Sequence, residues 1–135
     1  GNLNYAAEAL ADTGTKVLVE AVNTYDRPGF LLYSSAQAID VIKAANHQNL
    51  ALEYDLYHMQ IMEGNLVNRM SEILDHIGHI QFADTPGRHE PGTGEINYPF
   101  VFKALDKMGW PGWLGAEYVP TSSTEESLGW LEPYI

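Results

Sequence analysis

Four oxygen-bearing side chains stand at the ends of four short apolar segments of the sequence. They are the acids Glu20, Asp55 and Glu117 and the amide Gln81, and about one strand–helix unit separates each from the next. Neighbouring parallel strands lie about 4.8 Å apart, so inward side chains at adjacent strand ends can converge on one cation. Three carboxylates and an amide oxygen suit Mg²⁺ or Mn²⁺ better than Zn²⁺. Taken alone, each acid is better explained as a helix N-cap or a solvated loop residue, but the fourfold coincidence favours a divalent-metal site.

Two further residues are candidates for binding a substrate. His58 follows Asp55 by three residues, so both side chains can face one pocket, where a neutral imidazole could hydrogen-bond a hydroxyl or carbonyl. Arg88 lies in the long loop after the third strand and could pair with a carboxylate through two parallel hydrogen bonds. A structural histidine and a surface arginine are the alternatives, and the sequence leaves them open.

Several other residues are expected to have structural roles rather than chemical ones. Trp113 is expected to pack in the core and Glu53 to be solvated. Residues 21–30, which include Asn23 and Asp26, have the composition of a loop.

The elements that must position these side chains follow from hydrophobic periodicity and from helix-terminating residues. A first helix is predicted over residues 4–12. Strands are predicted at residues 16–20, 50–55, 78–83 and 113–117. The helices between and after them are predicted from Ser34 or Ser35 to residue 45, over 59–77 with an interruption near Gly64 and Asn65, over 98–108, and from Thr124 onward.

Alternation of apolar strands with helices predicts an α/β fold with a parallel sheet. A doubly wound sheet and part of a (βα)₈ barrel both fit this alternation. The sequence has no glycine-rich phosphate loop, and it carries polar residues at several consecutive strand ends, which favours the barrel. We therefore predict that residues 1–135 form a single domain, a parallel half-barrel of four βα units preceded by a helix. Such a half-barrel has two unpaired edges and one uncovered face, so it is either part of a longer enzyme or pairs with another copy.

Composition excludes several classes of function. The formal net charge is −11 and the seven basic residues are scattered, which argues against a nucleic-acid partner. The chain has no cysteine, so a metal would need oxygen or nitrogen ligands. No apolar run is long enough to cross a bilayer and no signal-peptide pattern opens the chain, so we expect a cytoplasmic protein without a membrane partner.

The candidate residues lie within longer motifs. Six stretches read VEAVN (19–23), YDLYHMQIMEGN (54–65), GHIQ (78–81), PGRHEP (86–91), GEINYP (94–99) and GAEY (115–118). Together they resemble the hydroxypyruvate isomerases of the xylose-isomerase-like barrel superfamily, and the resemblance extends over essentially the whole chain.

The resemblance implies a (βα)₈ barrel with a divalent metal at the ends of strands five to eight, the carboxyl-terminal half to which this chain is similar. It assigns metal ligation to Glu20, Asp55, Gln81 and Glu117, with Glu20 and Glu117 also as the catalytic glutamates. His58 and Arg88 match substrate-contacting positions. Gln81 stands where related ketose epimerases usually have a histidine, which favours hydroxypyruvate isomerase.

The implied reaction is the interconversion of hydroxypyruvate and tartronate semialdehyde, with glutamates moving a proton through an enediolate and with Mg²⁺ or Mn²⁺ as cofactor. The substrate would be a small 2-oxo acid or a keto-sugar, and the protein partner a second copy or a missing amino-terminal half-barrel. The alternatives are a related ketose 3-epimerase or sugar isomerase, and a non-catalytic, truncated half-barrel that self-associates.

Overall fold

Four strands pair side by side in the order in which they occur in the sequence. The computed structural model describes residues 1–135, and its single sheet has the order β1–β2–β3–β4 with every pair parallel. The strands are β1 (Val17–Glu20), β2 (Leu50–Asp55), β3 (Ile77–Phe82) and β4 (Leu114–Ala116). The predicted α/β class and the parallel sheet are confirmed.

Helices precede the sheet and connect its strands. They are α1 (Asn2–Ala9), α2 (Ser35–Ala45), α3 (Leu56–Met62), α4 (Leu66–Ile73), α5 (Tyr98–Met108) and α6 (Thr124–Ser127). Short 3₁₀ turns follow α1, α4 and α6 at residues 11–13, 74–76 and 128–134. No helix is both long and apolar enough to span a membrane.

The core lies between one face of the sheet and the helices. Alternate strand residues point to opposite faces, and the buried members on the helix side include Val19, Leu52, Tyr54, Ile80 and Phe82. These residues pack with apolar side chains of α2 to α5. Burial of these side chains holds the strands in place. The residues that alternate with them along each strand must therefore point to the opposite face of the sheet.

The second face of the sheet carries polar side chains. The strand register places Glu20 beside Glu53 on neighbouring strands, and Asp55 beside Gln81. The register shifts between Leu52 and Glu53, opposite Gly78 on β3. A Cβ added at Gly78 would lie 2.6 Å from Cβ of Ala51, so any other residue there would push the strands apart.

Local signals explain most helix boundaries. Ser34 caps α2 by accepting a hydrogen bond from the backbone N–H of Gln37 (3.3 Å), which settles the choice between two serines. The predicted interruption near Gly64 and Asn65 is confirmed, since both residues have positive φ (63° and 49°) and separate α3 from α4. The last helix is shorter than its capped start suggests and gives way to a 3₁₀ turn that contains Pro133.

Two structural expectations are wrong. Trp113 is 88 % exposed. It directly precedes β4, which is an edge strand, so no further strand lies beside it. Glu53 is half-buried on the second face of the sheet, and burial raises its pKa. Strand alternation places Glu53 on the same face as Asp55, which the prediction of a solvated residue did not take into account.

Both edges of the sheet are open. β1 pairs only with β2, and β4 only with β3. Large apolar side chains are exposed in the loop after β1 and around β4, among them Tyr25, Leu31, Trp113 and Val119. The structure is therefore an unclosed parallel sheet, as expected for half of a barrel.

Candidate active site

The predicted oxygen donors lie at one end of the sheet. Glu20 and Asp55 are the last residues of β1 and β2. Gln81 lies on β3, directly opposite Asp55 in the strand register. Glu117 follows β4 directly, and its backbone N–H donates to the carbonyl of Phe82 (3.0 Å). The fold therefore delivers one donor from each strand to the same edge, where parallel-sheet proteins place their sites.

Asp55 is the most buried of these donors. Its Oδ1 accepts hydrogen bonds from the backbone N–H groups of Tyr57 (2.8 Å) and His58 (3.4 Å), so it caps α3. Its Oδ2 is buried and has no hydrogen-bond partner. Burial raises the pKa of Asp55 to about 6, although Arg88 and the two backbone N–H groups lower it. The cap and the ligand interpretations thus use different oxygens of one carboxylate.

Glu20 lies next to Asp55 and His58. Potential ligand atoms of these three residues all lie within 4.8 Å of one another. Burial, followed by repulsion from the neighbouring carboxylates of Asp55, Glu53 and Glu117, raises the pKa of Glu20 to about 7. Carboxylates gathered in this way repel one another unless a proton or a cation neutralises them.

His58 is buried with its two ring nitrogens in different surroundings. Nδ1 lies 3.3 Å from the backbone nitrogen of Asn23 and 2.7 Å from its Nδ2. Nε2 points into the site, 3.8 Å from Oε1 of Glu20 and 3.8 Å from Oδ2 of Asp55. Burial, followed by the nearby Arg88 guanidinium, lowers the pKa of His58 to about 4, so the ring is neutral at pH 7.

Arg88 reaches the site from the loop after β3. Its guanidinium pairs with the carboxylate of Glu117, lies 3.6 Å from Oδ2 of Asp55 and stands 5.2 Å from the centroid of the Tyr57 ring. The backbone of Arg88 has φ 59°, a left-handed conformation, and its carbonyl accepts from the N–H of Val119 (2.8 Å). This anchored loop turns the side chain inward, so Arg88 is not a loose surface charge.

Gln81 and Glu117 are not part of the close group of three. Gln81 lies over Gly115, where an added Cβ would be 3.4 Å from its Cγ. The side chain of Glu117 is 54 % exposed and is held by Arg88. Both stand at the rim of the site, and their roles as ligands stay predictions.

The donors present fit a hard divalent cation. Asp55 offers a buried oxygen that no protein group satisfies, and a buried carboxylate oxygen without a partner is costly. A cation beside Glu20 and Asp55 would satisfy that oxygen and stabilise the charged forms of two carboxylates whose pKa values are raised mainly by burial. Carboxylate and amide oxygens are the ligands that Mg²⁺ and Mn²⁺ prefer.

Sequence reasoning missed a hydrogen-bonded group behind His58. Asn23 is fully buried, and its Nδ2 donates to Oδ2 of Asp26 (2.9 Å), which also accepts from the hydroxyl of Tyr57 (2.7 Å). The spacing of Asn23 and Asp26 signals only a turn. Asn23 contacts His58, and Asp26 contacts Tyr57. Each contact joins residues about one βα unit apart in the chain, so only the folded structure reveals it.

Comparison with known proteins gives relatives for the whole chain. The model of the family described as "Xylose isomerase-like TIM barrel" matches residues 1–134. The chain is 47 % identical over 133 residues to the hydroxypyruvate isomerase of Escherichia coli strain K12, and this covers 98 % of the chain and 52 % of that relative. It is 43 % identical over 134 residues to a 2-oxo-tetronate isomerase of Cupriavidus necator, covering 99 % of the chain and 52 % of that relative.

A solved structure has the same fold. The crystal structure titled AP endonuclease, family 2, from Brucella melitensis superposes with a TM-score of 0.95 at 43 % identity, over 98 % of this chain and 52 % of that one. The chain therefore spans about half the length of the relatives it matches.

Proposed function

The chain belongs to the xylose isomerase-like TIM barrel family, and on this premise we propose that it forms half of a metal-dependent isomerase that interconverts hydroxypyruvate and tartronate semialdehyde. The observation that carries the proposal is the buried Asp55 carboxylate, whose Oδ2 has no partner and lies in the same close group as Glu20. The similarity to the hydroxypyruvate isomerase of Escherichia coli supports the choice of substrate.

In this proposal Mg²⁺ or Mn²⁺ is held by Glu20, Asp55, Gln81 and Glu117. When bound, the cation supplies positive charge that stabilises the negative charge developing on the substrate oxygens. Asp55 is the fixed member of the set, because its Oδ1 is tied to the start of α3 while Oδ2 stays free to ligate.

Glu20 and Glu117 are the proposed acid–base pair. They come from the two outer strands of the sheet and so flank Asp55 and Gln81. One carboxylate removes a proton from C3 of hydroxypyruvate, which gives an enediolate, and the other delivers a proton to C2. The hydroxyl proton passes from the C3 oxygen to the C2 oxygen, so the product is tartronate semialdehyde with no net gain or loss of protons.

Arg88 and His58 are the proposed substrate-binding residues. A guanidinium can hold the substrate carboxylate through two parallel hydrogen bonds, and Arg88 already binds the carboxylate of Glu117. When a substrate takes its place beside Arg88, Glu117 is released for proton transfer. The neutral ring of His58 faces the same space through Nε2.

The proposed enzyme is complete only with a second half-barrel. Support for a partner comes from the open edges at β1 and β4 and from the doubled length of the relatives. Either a missing amino-terminal half-barrel or a second copy of the chain would supply the strands that close the sheet.

A second substrate class is favoured by a specific similarity. The 2-oxo-tetronate isomerase relative is nearly as similar to the chain as the hydroxypyruvate isomerase is. A longer 2-oxo acid, or a keto-sugar handled by the same glutamates, would use the same proton transfer. A panel of hydroxypyruvate, four-carbon 2-oxo acids and ketoses distinguishes these substrates by kcat/KM.

Replacement of Glu117 tests the proposal. In the assembled barrel we expect Glu117→Gln to lower kcat by roughly 100-fold or more, the usual contribution of a positioned acid or base, while Mn²⁺ binding by calorimetry is largely kept because Gln retains an oxygen ligand. The matched control, Glu125→Gln, changes an exposed carboxylate of α6 and leaves kcat unchanged. A Glu117→Gln protein with near-normal kcat would remove this residue from the chemistry.

A further inference from the structure

We propose that Asn23 is a positioning residue that holds His58 as the tautomer with its proton on Nε2. The ring then faces the carboxylates as a hydrogen-bond donor and cannot act as a cation ligand through Nε2. The inference rests on the hydrogen bonds around Asn23 and uses the proposed function only for the role given to the Nε2–H group.

The orientation of the Asn23 amide is determined by three partners. Its Oδ1 faces the backbone N–H groups of Tyr25 (3.1 Å) and Asp26 (2.8 Å), which can only donate. Its other terminal atom lies 2.9 Å from Oδ2 of Asp26, a carboxylate oxygen that accepts. The amide NH₂ must therefore point away from the two backbone donors, toward Asp26 and His58.

Two donors then face the same nitrogen of His58. The Nδ2 of Asn23 lies 2.7 Å from Nδ1 of the ring, and the backbone N–H of Asn23 donates to the same atom at 3.3 Å. In a neutral imidazole one nitrogen donates and the other accepts. Because Nδ1 meets only donors from Asn23, it is the acceptor, and the ring proton lies on Nε2.

The donor face of His58 opens into the candidate active site. Nε2 lies 3.8 Å from carboxylate oxygens of both Glu20 and Asp55, which are acceptors. Nη1 of Arg88, which can only donate, lies 3.4 Å from the same nitrogen and opposes a proton there. This single contact is longer than the 2.7 Å between Nδ1 and the amide of Asn23, where two donors oppose a proton, so the proton is assigned to Nε2. A substrate hydroxyl or carbonyl oxygen in this space would therefore receive a hydrogen bond from His58.

This assignment decides between two interpretations of the Glu20, Asp55 and His58 group. Geometry alone would allow all three to ligate one metal ion. Coordination through Nε2 needs a lone pair on that nitrogen, hence a proton on Nδ1, where the two donors of Asn23 would oppose it. Glu20 and Asp55 remain as cation ligands, and His58 is left to bind substrate.

Nitrogen NMR of the protein labelled with ¹⁵N at histidine tests the inference without any variant. At pH 8, without metal or substrate, we expect Nδ1 of His58 to resonate as an unprotonated ring nitrogen and Nε2 to show a one-bond coupling to hydrogen. The signals are assigned by their loss in His58→Asn. A proton on Nδ1 of His58 in the unaltered protein would overturn the proposal.

An Asn23→Asp variant tests the cause. A carboxylate oxygen in place of Nδ2 accepts rather than donates, so we expect Nδ1 of His58 to gain a proton, in the neutral ring or in the imidazolium. The matched control is Asn49→Asp, which changes an amide that donates to the carbonyls of Ala7 (3.1 Å) and Thr15 (2.9 Å), away from His58.

The control should leave His58 as in the unaltered protein. If a folded Asn23→Asp protein keeps Nδ1 unprotonated, Asn23 does not set the tautomer. If that variant fails to fold, the unaltered protein still decides the tautomer. An inactive protein with Nε2 protonated would contradict the proposed function and leave this inference standing, and an active protein with Nδ1 protonated would do the reverse.

Discussion

At the residue scale, Asp55 shows how one side chain serves the fold and the site together. One oxygen satisfies two backbone N–H groups at the start of α3, which holds the carboxylate in a single orientation. The other oxygen is buried without a hydrogen bond, which costs free energy, and the Arg88 guanidinium lies 3.6 Å from it. In the proposed metal site, this second oxygen would bind the cation without any change in the carboxylate's orientation.

The cost of the Asp55 charge predicts a pH-dependent gain from Asp55→Asn. The folded-state pKa of about 6 lies above the usual 3.8, so the stability penalty is absent below about pH 4, grows between pH 4 and pH 6, and is fully present above that range. Asn keeps the cap and lacks the charge. At about 1.4 kcal/mol per pKa unit, we expect the metal-free variant to gain about 3 kcal/mol in free energy of unfolding at pH 8 and almost nothing at pH 4.

Urea unfolding at the two pH values measures this difference. Adding Mn²⁺ should reverse the order at pH 8, because the cation stabilises the unaltered protein and binds the variant weakly. The exposed Asp106 on α5 provides the control, since Asp106→Asn should show no such dependence on pH. An Asp55→Asn protein that is less stable than the unaltered one at pH 8 without metal would refute the interpretation.

At the element scale, the sequence predicts the strands and the residues at their ends, but it does not predict which residues the loops contact. The apolar runs ending at Glu20 and Asp55 identify β1 and β2 together with the donors they deliver. The onset of α3 at Leu56, directly after β2, follows from the Asp55 cap, whereas periodicity alone placed it three residues later. The partnership of Asn23 with His58 depends on a loop conformation that no local pattern specifies.

The close contacts around Gly78 on β3 predict the effect of a substitution there. An added Cβ would lie 2.6 Å from Cβ of Ala51 and 2.8 Å from Cδ2 of Leu18. The side chain of Leu18 can change its rotamer, but the Cβ of Ala51 cannot yield without moving its strand. We therefore expect Gly78→Ala to lower the free energy of unfolding by about 1–3 kcal/mol, as overpacking does. Gly129→Ala is the control, because an added Cβ there meets nothing within 4 Å.

Urea denaturation of the three proteins gives the comparison. Equal stabilities for Gly78→Ala and Gly129→Ala would mean that the strands are less closely packed than the structure indicates. A loss of stability confined to Gly78→Ala would confirm that residues are closely packed around Gly78 on the second face of the sheet, which carries the site.

At the scale of the whole molecule, the sheet has neither a closed edge nor a covered second face. One result is the exposed side chain of Trp113 beside the edge strand β4. The sequence could not predict this exposure, because edge strands and interior strands have the same hydrophobic pattern. Parallel sheets are normally covered on both faces. The proposed second set of strands would cover this face and close the sheet.

Self-association is the expected behaviour of these 135 residues expressed alone. Open edges and exposed apolar groups promote pairing, so we expect light scattering to give at least twice the mass of the chain, 15.0 kDa. Trp113→Lys should weaken this association, whereas Phe100→Lys, on α5, should not. A stable monomer that binds no Mn²⁺ would favour an inert fragment over an enzyme half.

The proposed function requires that oxygen donors from four successive strands meet around one divalent cation. Anomalous diffraction from crystals of the assembled protein grown with Mn²⁺ locates that cation. We expect one Mn²⁺ peak, within about 2.5 Å of oxygens from Glu20, Asp55, Gln81 and Glu117, with His58 outside the ligand set. A peak ligated by Nε2 of His58, or the lack of any peak at this end of the sheet, would contradict it.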